Sequence, residues 1–451
     1  MLASTLSANM LVFYDGTAVI VALPHIGATF PSGADELQWV VTSYLLALAV
    51  FMLLAGRVAD RWGSRRAFLG GLAVFGLASA ACAAAPTLWL LLAARFVQGL
   101  GGAVMVPLAL SITTGAVTPQ RRGWAIGLLS TAGTSLLVLG PVAGGALVAV
   151  DWRLLFLANL PVVAFAMVAA ARYVEGSRAT APHPTDWRMV VLLLFGLTGL
   201  VVGLVEIADL GPLAMAPLAA GLLAFGVFVR QERRRPRPLF DFALLRDPML
   251  GPSLAALFAI QFAVFGVTLS LSLYLQHGLG LDAVRSGLVI AAAGVGTPLL
   301  SVVTGRLADR HGPRALVLPG LALATAGLAA VGSLAWYGAV ALLLPGLLVF
   351  TLARPMVFTP AGVGAFLSHV GPQRGLAASL ATESRQLGAV FGVAVSTTAF
   401  TVVHGSVLTG KHSGLTGGFA AAMLTAAAAC AAAAVAVWWW MPRRQADLGA
   451  R

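Results

Sequence analysis

Charge is scarce in this chain. Only 10% of its 451 residues are Asp, Glu, Lys or Arg, while 59% are hydrophobic; a soluble globular domain carries about 25% charged residues. That shortage excludes water as the main solvent. Lysine is almost missing, with Lys411 alone among 28 basic side chains, and the excess of Ala, Gly and Leu beside it fits the codon bias of a GC-rich bacterial genome. Cysteine is limited to Cys82 and Cys430, both inside apolar runs. This excludes a disulfide framework and leaves both as packing residues. No polar stretch is long enough for a catalytic domain, and no His/Cys metal spacing, phosphate-binding loop or nucleophile elbow occurs. An enzyme is therefore excluded, and neither cofactor nor metal is expected.

What the chain does have is a succession of apolar stretches of about 20 residues, each able to cross a hydrocarbon core roughly 30 Å thick. Helices are the natural choice, because an open sheet or loop facing lipid would leave backbone groups unpaired. The net charge of +12 does not point to nucleic acid, because the arginines are spread over short loops between apolar runs. The apolar N-terminus lacks a basic flank and an A-x-A-like cleavage site, and a second run follows closely. It reads as the first membrane helix, with so little before it that the natural start is expected upstream of Met1.

Fourteen segments can be drawn, at 4–25, 38–59, 66–85, 88–114, 123–148, 152–171, 188–208, 213–229, 249–275, 285–308, 314–334, 338–366, 376–403 and 415–440. Arginine placement orients them. Loops after even-numbered segments hold Arg61, Arg65 and Arg66; Arg121 and Arg122; Arg172, Arg178 and Arg188; Arg230 to Arg246; Arg310 and Arg314; and Arg374. The opposite loops hold only Arg153, Arg285 and Lys411 beside Asp35, Glu36, Asp151, Asp209 and Asp282. Both termini are thus expected in the cytoplasm, in a multi-pass protein of a bacterial inner membrane. No histidine falls inside a segment, His25 standing at the outer end of the first, which excludes a histidine proton relay and leaves that work to carboxylates.

The chain also repeats itself. Gly56-Arg57-Val58-Ala59-Asp60-Arg61-Trp62-Gly63-Ser64-Arg65 returns 249 residues later as Gly305-Arg306-Leu307-Ala308-Asp309-Arg310-His311-Gly312-Pro313-Arg314. Arg122-Gly123 with Gly140 returns as Arg374-Gly375 with Gly392, and Pro107 as Pro360, at nearly the same offset. Two homologous six-helix bundles follow, 1–172 and 247–442, with two helices and their linkers inserted over 173–246 and a tail at 443–451. Two halves around a central site is the architecture of alternating-access transporters.

Four motifs carry a family resemblance. The loop Gly56 to Arg66 resembles the major facilitator signature G-x-L-x-D-R-x-G-R-[RK]. Arg95-Phe96-Val97-Gln98-Gly99-Leu100-Gly101 resembles that superfamily's R-x-x-Q-G-x-G motif. Gly140-Pro141-Val142-Ala143-Gly144-Gly145 resembles the G-P-x-x-G-G signature of drug:proton antiporters, with Leu136 where another glycine is usual. Tyr14-Asp15-Gly16-Thr17-Ala18-Val19-Ile20-Val21-Ala22-Leu23-Pro24 is similar to the first span of fourteen-helix multidrug exporters, with Ile20 in place of that pattern's asparagine. Trp39 to Tyr44, Asn159-Leu160-Pro161 and Arg385-Gln386-Leu387-Gly388 are also typical of that group. The resemblance implies an all-α major facilitator fold of fourteen spans arranged 6+2+6, and a proton-coupled antiporter exporting hydrophobic, in some cases cationic, small molecules. The alternative is a dedicated exporter of one natural product or lipid. A monomer is expected, with a small hydrophobic substrate, protons and the lipid bilayer as its partners.

Beyond the repeat motif and the segment edges, charged residues inside the segments are few: Asp15, Glu206, Glu383, Arg95, Arg354 and Arg385. Each is costly there and is a functional candidate for that reason. Asp15 is the expected proton-coupling residue, near mid-membrane at roughly 1.5 Å per residue. Desolvation disfavours its charge, and water or Arg95 nearby restores it. The simpler alternative is an acid bonded to Thr17 or to backbone beside Gly16. The resemblance associates Arg95 with proton transfer; otherwise it is a structural arginine tying helices together. Glu383 is the second proton candidate, and its spacing from Arg385 puts the two on different helix faces. Tyr14, Asp15, Glu206 and Arg385 are expected to line the substrate cavity, with Glu206 close enough to a helix end to be solvated instead. Gly56, Asp60, Arg61, Gly63 and Arg65, with Asp309 and Arg310, are expected to form a conformational latch. Gly140, Pro141, Gly144 and Gly145 are expected to form a bent, close-packing antiporter helix.

Overall fold

The computed structural model describes residues 1–30, 34–52, 54–118, 122–174, 186–205, 213, 215–235, 242–292, 294, 296–367, 372–404 and 412–442. Among these the regular structure is helical throughout, and helix falls on every apolar segment drawn from the sequence. Ten of the helices are long and apolar enough to cross a membrane. The chain divides into two compact units, Met1–Leu194 with Asp282–Ala291, and Phe195–Leu281 with Ala292–Arg451.

The first unit holds α1 (Leu2–Thr29), the short α2 (Ala34–Leu37), α3 (Trp39–Met52), α4 (Ala55–Trp62), α5 (Ser64–Ala83), α6 (Leu88–Gly115), α7 (Arg122–Val148), α8 (Leu154–Leu157) and α9 (Asn159–Tyr173), and the start of α10 (Trp187–Val205). Without water, the polar side chains of a spanning helix gain most by bonding its neighbours, and three near the start of α1 do. Ser4 Oγ donates to the Ala166 carbonyl of α9 at 2.7 Å, Thr113 of α6 to Thr5 at 2.8 Å, and Asn9 to the Leu129 carbonyl of α7 at 2.8 Å. Along α7, Gly140 and Gly144 remove the Cβ atoms that would meet α1. A Cβ on Gly144 would lie 2.9 Å from the Ala18 carbonyl oxygen, and one on Gly140 would strike the Thr17 hydroxyl. These two glycines set how closely α7 lies against α1.

The sixth segment, 152–171, drawn as a single helix, carries a one-residue interruption at Ala158. The cause is Pro161. Lacking an N–H, it cannot bond the Leu157 carbonyl four residues back, and its ring crowds that oxygen. Accordingly α8 ends at Leu157, and a new helix starts at Asn159.

The second unit holds the rest of α10, α11 (Met215–Glu232), α12 (Leu250–Leu273), α14 (Gly296–His311), α15 (Arg314–Leu334), α16 (Val340–Leu367), α17 (Pro372–His404) and α18 (His412–Trp440). Its centre is α12, buried along nearly its whole length. Gly388 and Gly392 of α17 pack on the Phe258 and Phe262 backbone, and Ser384 Oγ donates to the Leu254 carbonyl at 2.7 Å. Tyr274 stacks on Phe419 with centroids 4.4 Å apart and donates to the Ala335 carbonyl at 3.0 Å. Gly199 of α10 faces Gly221 of α11, and Thr398 of α17 donates to the Leu204 carbonyl at 2.8 Å. The remaining short helix, α13 (Ala283–Ala292), belongs to the first unit through Ala291.

The sequence repeat is also a backbone repeat. Gly63 and Gly312 adopt φ of 81° and 84°, and each donates its N–H to the carbonyl four residues back, Ala59 or Ala308, at 2.8 Å. A left-handed residue just past a helix end is where glycine is favoured.

Candidate functional site

The densest polar cluster among the described residues lies inside the first unit, fully buried. Arg95 and Gln98 project from one face of α6, three residues apart. Gly99 beside them has no Cβ to strike the Tyr44 backbone, so α3 lies close enough for Arg95 Nε to donate to the Val40 carbonyl at 2.8 Å. Arg95 Nη1 donates to Asp15 Oδ2 in an ion pair and to Gln98 Oε1 at 2.6 Å. The guanidinium also lies 4.3 Å from the Tyr44 ring centroid and 5.7 Å from that of Phe156.

Asp15 Oδ1 accepts from Gln98 Nε2 and Asn159 Nδ2, each at 3.0 Å. Both amides also donate to Ser79 Oγ, at 2.9 and 3.4 Å, and Ser79 donates to the Phe75 carbonyl at 2.8 Å. Cys82 Sγ lies 3.9 Å from Gln98 Oε1. Asp15 therefore receives three donors from α6 and α9, and the cluster ties α1, α3, α5, α6 and α9 together. Arg95, Gln98 and Asn159 are 0% exposed and Asp15 1%. Buried charges are tolerated where they are paired and hydrogen-bonded, and this cluster supplies both.

Asp15 and Arg95, singled out from the sequence, thus meet. Thr17 does not bond Asp15; its hydroxyl turns back to the Phe13 and Tyr14 carbonyls at 3.1 and 3.4 Å. Tyr14 is buried, and its hydroxyl has no hydrogen-bond partner among the described residues. Gln98, Asn159, Ser79 and Tyr44 were missed as site residues, although each stands in or near a polar interruption of an apolar run. A scan for every hydrogen-bonding side chain in a span, beyond the charged ones, would have found them.

In the second unit, Glu383 of α17 is 3% exposed and its Oε2 has no hydrogen-bond partner among the described residues. Arg385 donates to Thr382 Oγ1 at 3.3 Å and lies 5.0 Å from the Phe358 centroid. Arg354 of α16 is buried with Phe350 at 6.0 Å. Glu206 lies outside the described residues, as do the side chains of Asp60 and Asp309. In the repeated loops Arg61 and Arg310 are exposed, Gly56 stands in α4, and Gly63 makes the turn. Arg65 donates to the Ala171 carbonyl within its own unit. Gly145 packs against Ala283, and the Pro141 backbone against Gly287.

A family profile described as the Major Facilitator Superfamily matches residues 5–393. Multidrug resistance protein Stp of Mycobacterium tuberculosis is 31% identical over 390 residues, spanning 85% of this chain and 72% of that protein. Puromycin resistance protein pur8 of Streptomyces alboniger is 31% identical over 433 residues, spanning 92% and 86%. The methylenomycin A resistance protein of Streptomyces coelicolor is 31% identical over 396 residues, spanning 84% and 81%. Among solved structures, a D-xylose-proton symporter superposes with a TM-score of 0.69 at 16% identity, over 98% of this chain and 97% of its own. That last likeness speaks to the fold alone.

Proposed function

The chain belongs to the Major Facilitator Superfamily, and we propose that it is a proton-coupled antiporter exporting hydrophobic small molecules by alternating access. It belongs on this reading to the fourteen-span branch, with both termini cytoplasmic, 1–172 and 247–442 as the two moving halves, and 173–246 inserted between them.

The observation that carries the proposal is the buried Asp15–Arg95 pair. It joins five helices of one unit at a depth where charge is expensive. Protonating Asp15 removes one charge of the pair, so proton binding changes the balance between packings of those helices. Arg95 keeps its bonds to Gln98 and Val40 and its two aromatic neighbours, so it can remain in place while Asp15 loads and unloads. Glu383, deep and unbonded at Oε2, is the second proton candidate. Tyr14 and Asp15 in the first unit, and Arg385 and Glu206 in the second, are the substrate-contact candidates. Asp60, Asp309 and the arginines beside them latch the loops in one conformation.

Multidrug resistance in a relative's name supports a broad substrate range. The second reading, a dedicated exporter of one natural product, is favoured by relatives named for single antibiotics, puromycin and methylenomycin A. A panel of dyes and antibiotics against expressing cells separates the two, since protection against one compound alone supports the second. The coupling test uses inverted vesicles. Asp15→Asn is expected to abolish pH-driven accumulation, and Asp15→Glu to retain part of it. Accumulation by the Asn variant under a pH gradient would move coupling to Glu383.

A further inference from the structure

We propose that Asn159 is a reversible hydrogen-bond switch that holds Asp15 in both protonation states, donating to the carboxylate and turning its amide to accept from the carboxylic acid. The inference rests on Asp15 as the proton carrier.

The cluster has donors in excess. Arg95, Gln98 and Asn159 all donate to the Asp15 carboxylate, an arrangement suited only to its charged form, since an ionised carboxylate is purely an acceptor. Once protonated, Asp15 presents an O–H that needs an acceptor. Arg95 has none to give. Gln98 Oε1 already accepts from Arg95 at 2.6 Å. Ser79 Oγ accepts from both amides, and its own proton is committed to the Phe75 carbonyl.

Asn159 differs. Its Oδ1 is buried and has no hydrogen-bond partner among the described residues, although a buried amide oxygen ordinarily has one. A half-turn about its terminal torsion, which is broad and roughly twofold, exchanges Nδ2 for Oδ1 and brings the spare acceptor to Asp15 Oδ1. The move replaces the 3.0 Å bond from Nδ2 to Asp15 by one of opposite sense, gives up the long 3.4 Å contact to Ser79, and turns the Nδ2 donors into the buried position that Oδ1 leaves. The other titratable or charged groups facing Asp15 are Tyr14 on its own helix, Tyr44 of α3, Cys82 of α5 and Arg95 of α6. Tyr44 donates its hydroxyl to the Val12 carbonyl at 3.2 Å, and neither tyrosine bonds the carboxylate.

The chain contains only two asparagines, Asn9 and Asn159, so asparagine labelled at the side-chain carbonyl carbon reports on two sites. Asn9 serves as the static reference, bonded to the Leu129 carbonyl. In lipid vesicles, acidification is expected to produce a carboxylic-acid infrared band that disappears in Asp15→Asn. One labelled asparagine carbonyl band should shift to lower frequency in parallel. That shift should be lost in Asp15→Asn and in Asn159→Ser. If the Asp15-dependent acid band appears while both labelled carbonyls stay fixed, the switch is wrong and the carrier assignment stands. If acidification yields no band that Asp15→Asn removes, the carrier assignment fails and the switch with it.

Discussion

Arg65 and Arg314 stand at the same position of the two repeat copies, and each donates to backbone carbonyls at the C-terminal end of another helix in its own unit. For Arg65 the acceptor is Ala171 of α9. For Arg314 they are Met441, just past α18, and Trp438 at 2.9 Å, with the guanidinium 5.5 Å from the Trp438 ring. A helix end leaves its last carbonyls without intrahelical partners, and a cation there also meets the negative end of the macrodipole. Both arginines lie in the first turn of their own helices, where a cation is disfavoured, so the neighbouring helix end supplies the compensation.

Each arginine should therefore hold one helix end. Arg65→Gln is expected to raise hydrogen exchange in the last turn of α9 about fivefold, and Arg314→Gln to do the same only in α18, matching a loss of about 1 kcal/mol per contact. Equal exchange in the variants and the parent would remove the capping role.

The Asp15–Arg95 pair should behave as a unit. Asp15→Asn leaves a buried cation without its counter-ion and is expected to cost about 3–5 kcal/mol, whereas Asp15→Asn with Arg95→Met should recover much of that stability and no transport. Arg95→Lys should fail in transport, because an ammonium cannot reach Asp15, Gln98 and Val40 together. Thermal unfolding of purified protein alongside vesicle uptake checks both statements.

Glycine on α7 should be intolerant where α1 touches it. Gly144→Val is expected to lower stability by about 1–3 kcal/mol through overpacking. Gly70→Ala on α5, where an added Cβ meets nothing within 4 Å, should be neutral or slightly stabilising. A melting temperature that falls equally in both would contradict the close α1–α7 approach.

Topology can be checked by labelling, because both native cysteines are buried. The folded parent should resist a membrane-impermeant maleimide. A cysteine replacing Arg444 should react only from the cytoplasmic side and one replacing Arg285 only from the outside. Labelling of both from one side would break the arginine-based orientation.

Much of this was legible in the sequence. Apolar length marked where helices form, since lipid leaves the backbone little alternative. The paired glycines of the repeat marked both left-handed turns. Asp15 and Arg95 were visible because charge in a span stands out. Asn159 and Gln98 stood out only as motif residues, because which acid a neutral amide bonds depends on how the helices pack. Pro161 announced the break between α8 and α9, yet the run of apolar side chains across it masked the change. The acceptors of Arg65 and Arg314 were out of reach, because a backbone carbonyl leaves no mark in the choice of residue.

The buried pair also has an electrical consequence. One carboxylate and one guanidinium sum to zero, so the empty cluster passes through a transmembrane voltage without doing work. With a proton on Asp15 it carries one positive charge, worth about 2.3 kcal/mol for each 100 mV traversed. An interior-negative potential then pulls only the loaded form inward. Expelling an uncharged compound against one proton would draw on voltage and acidity together, and expelling a monovalent cation would draw on acidity alone.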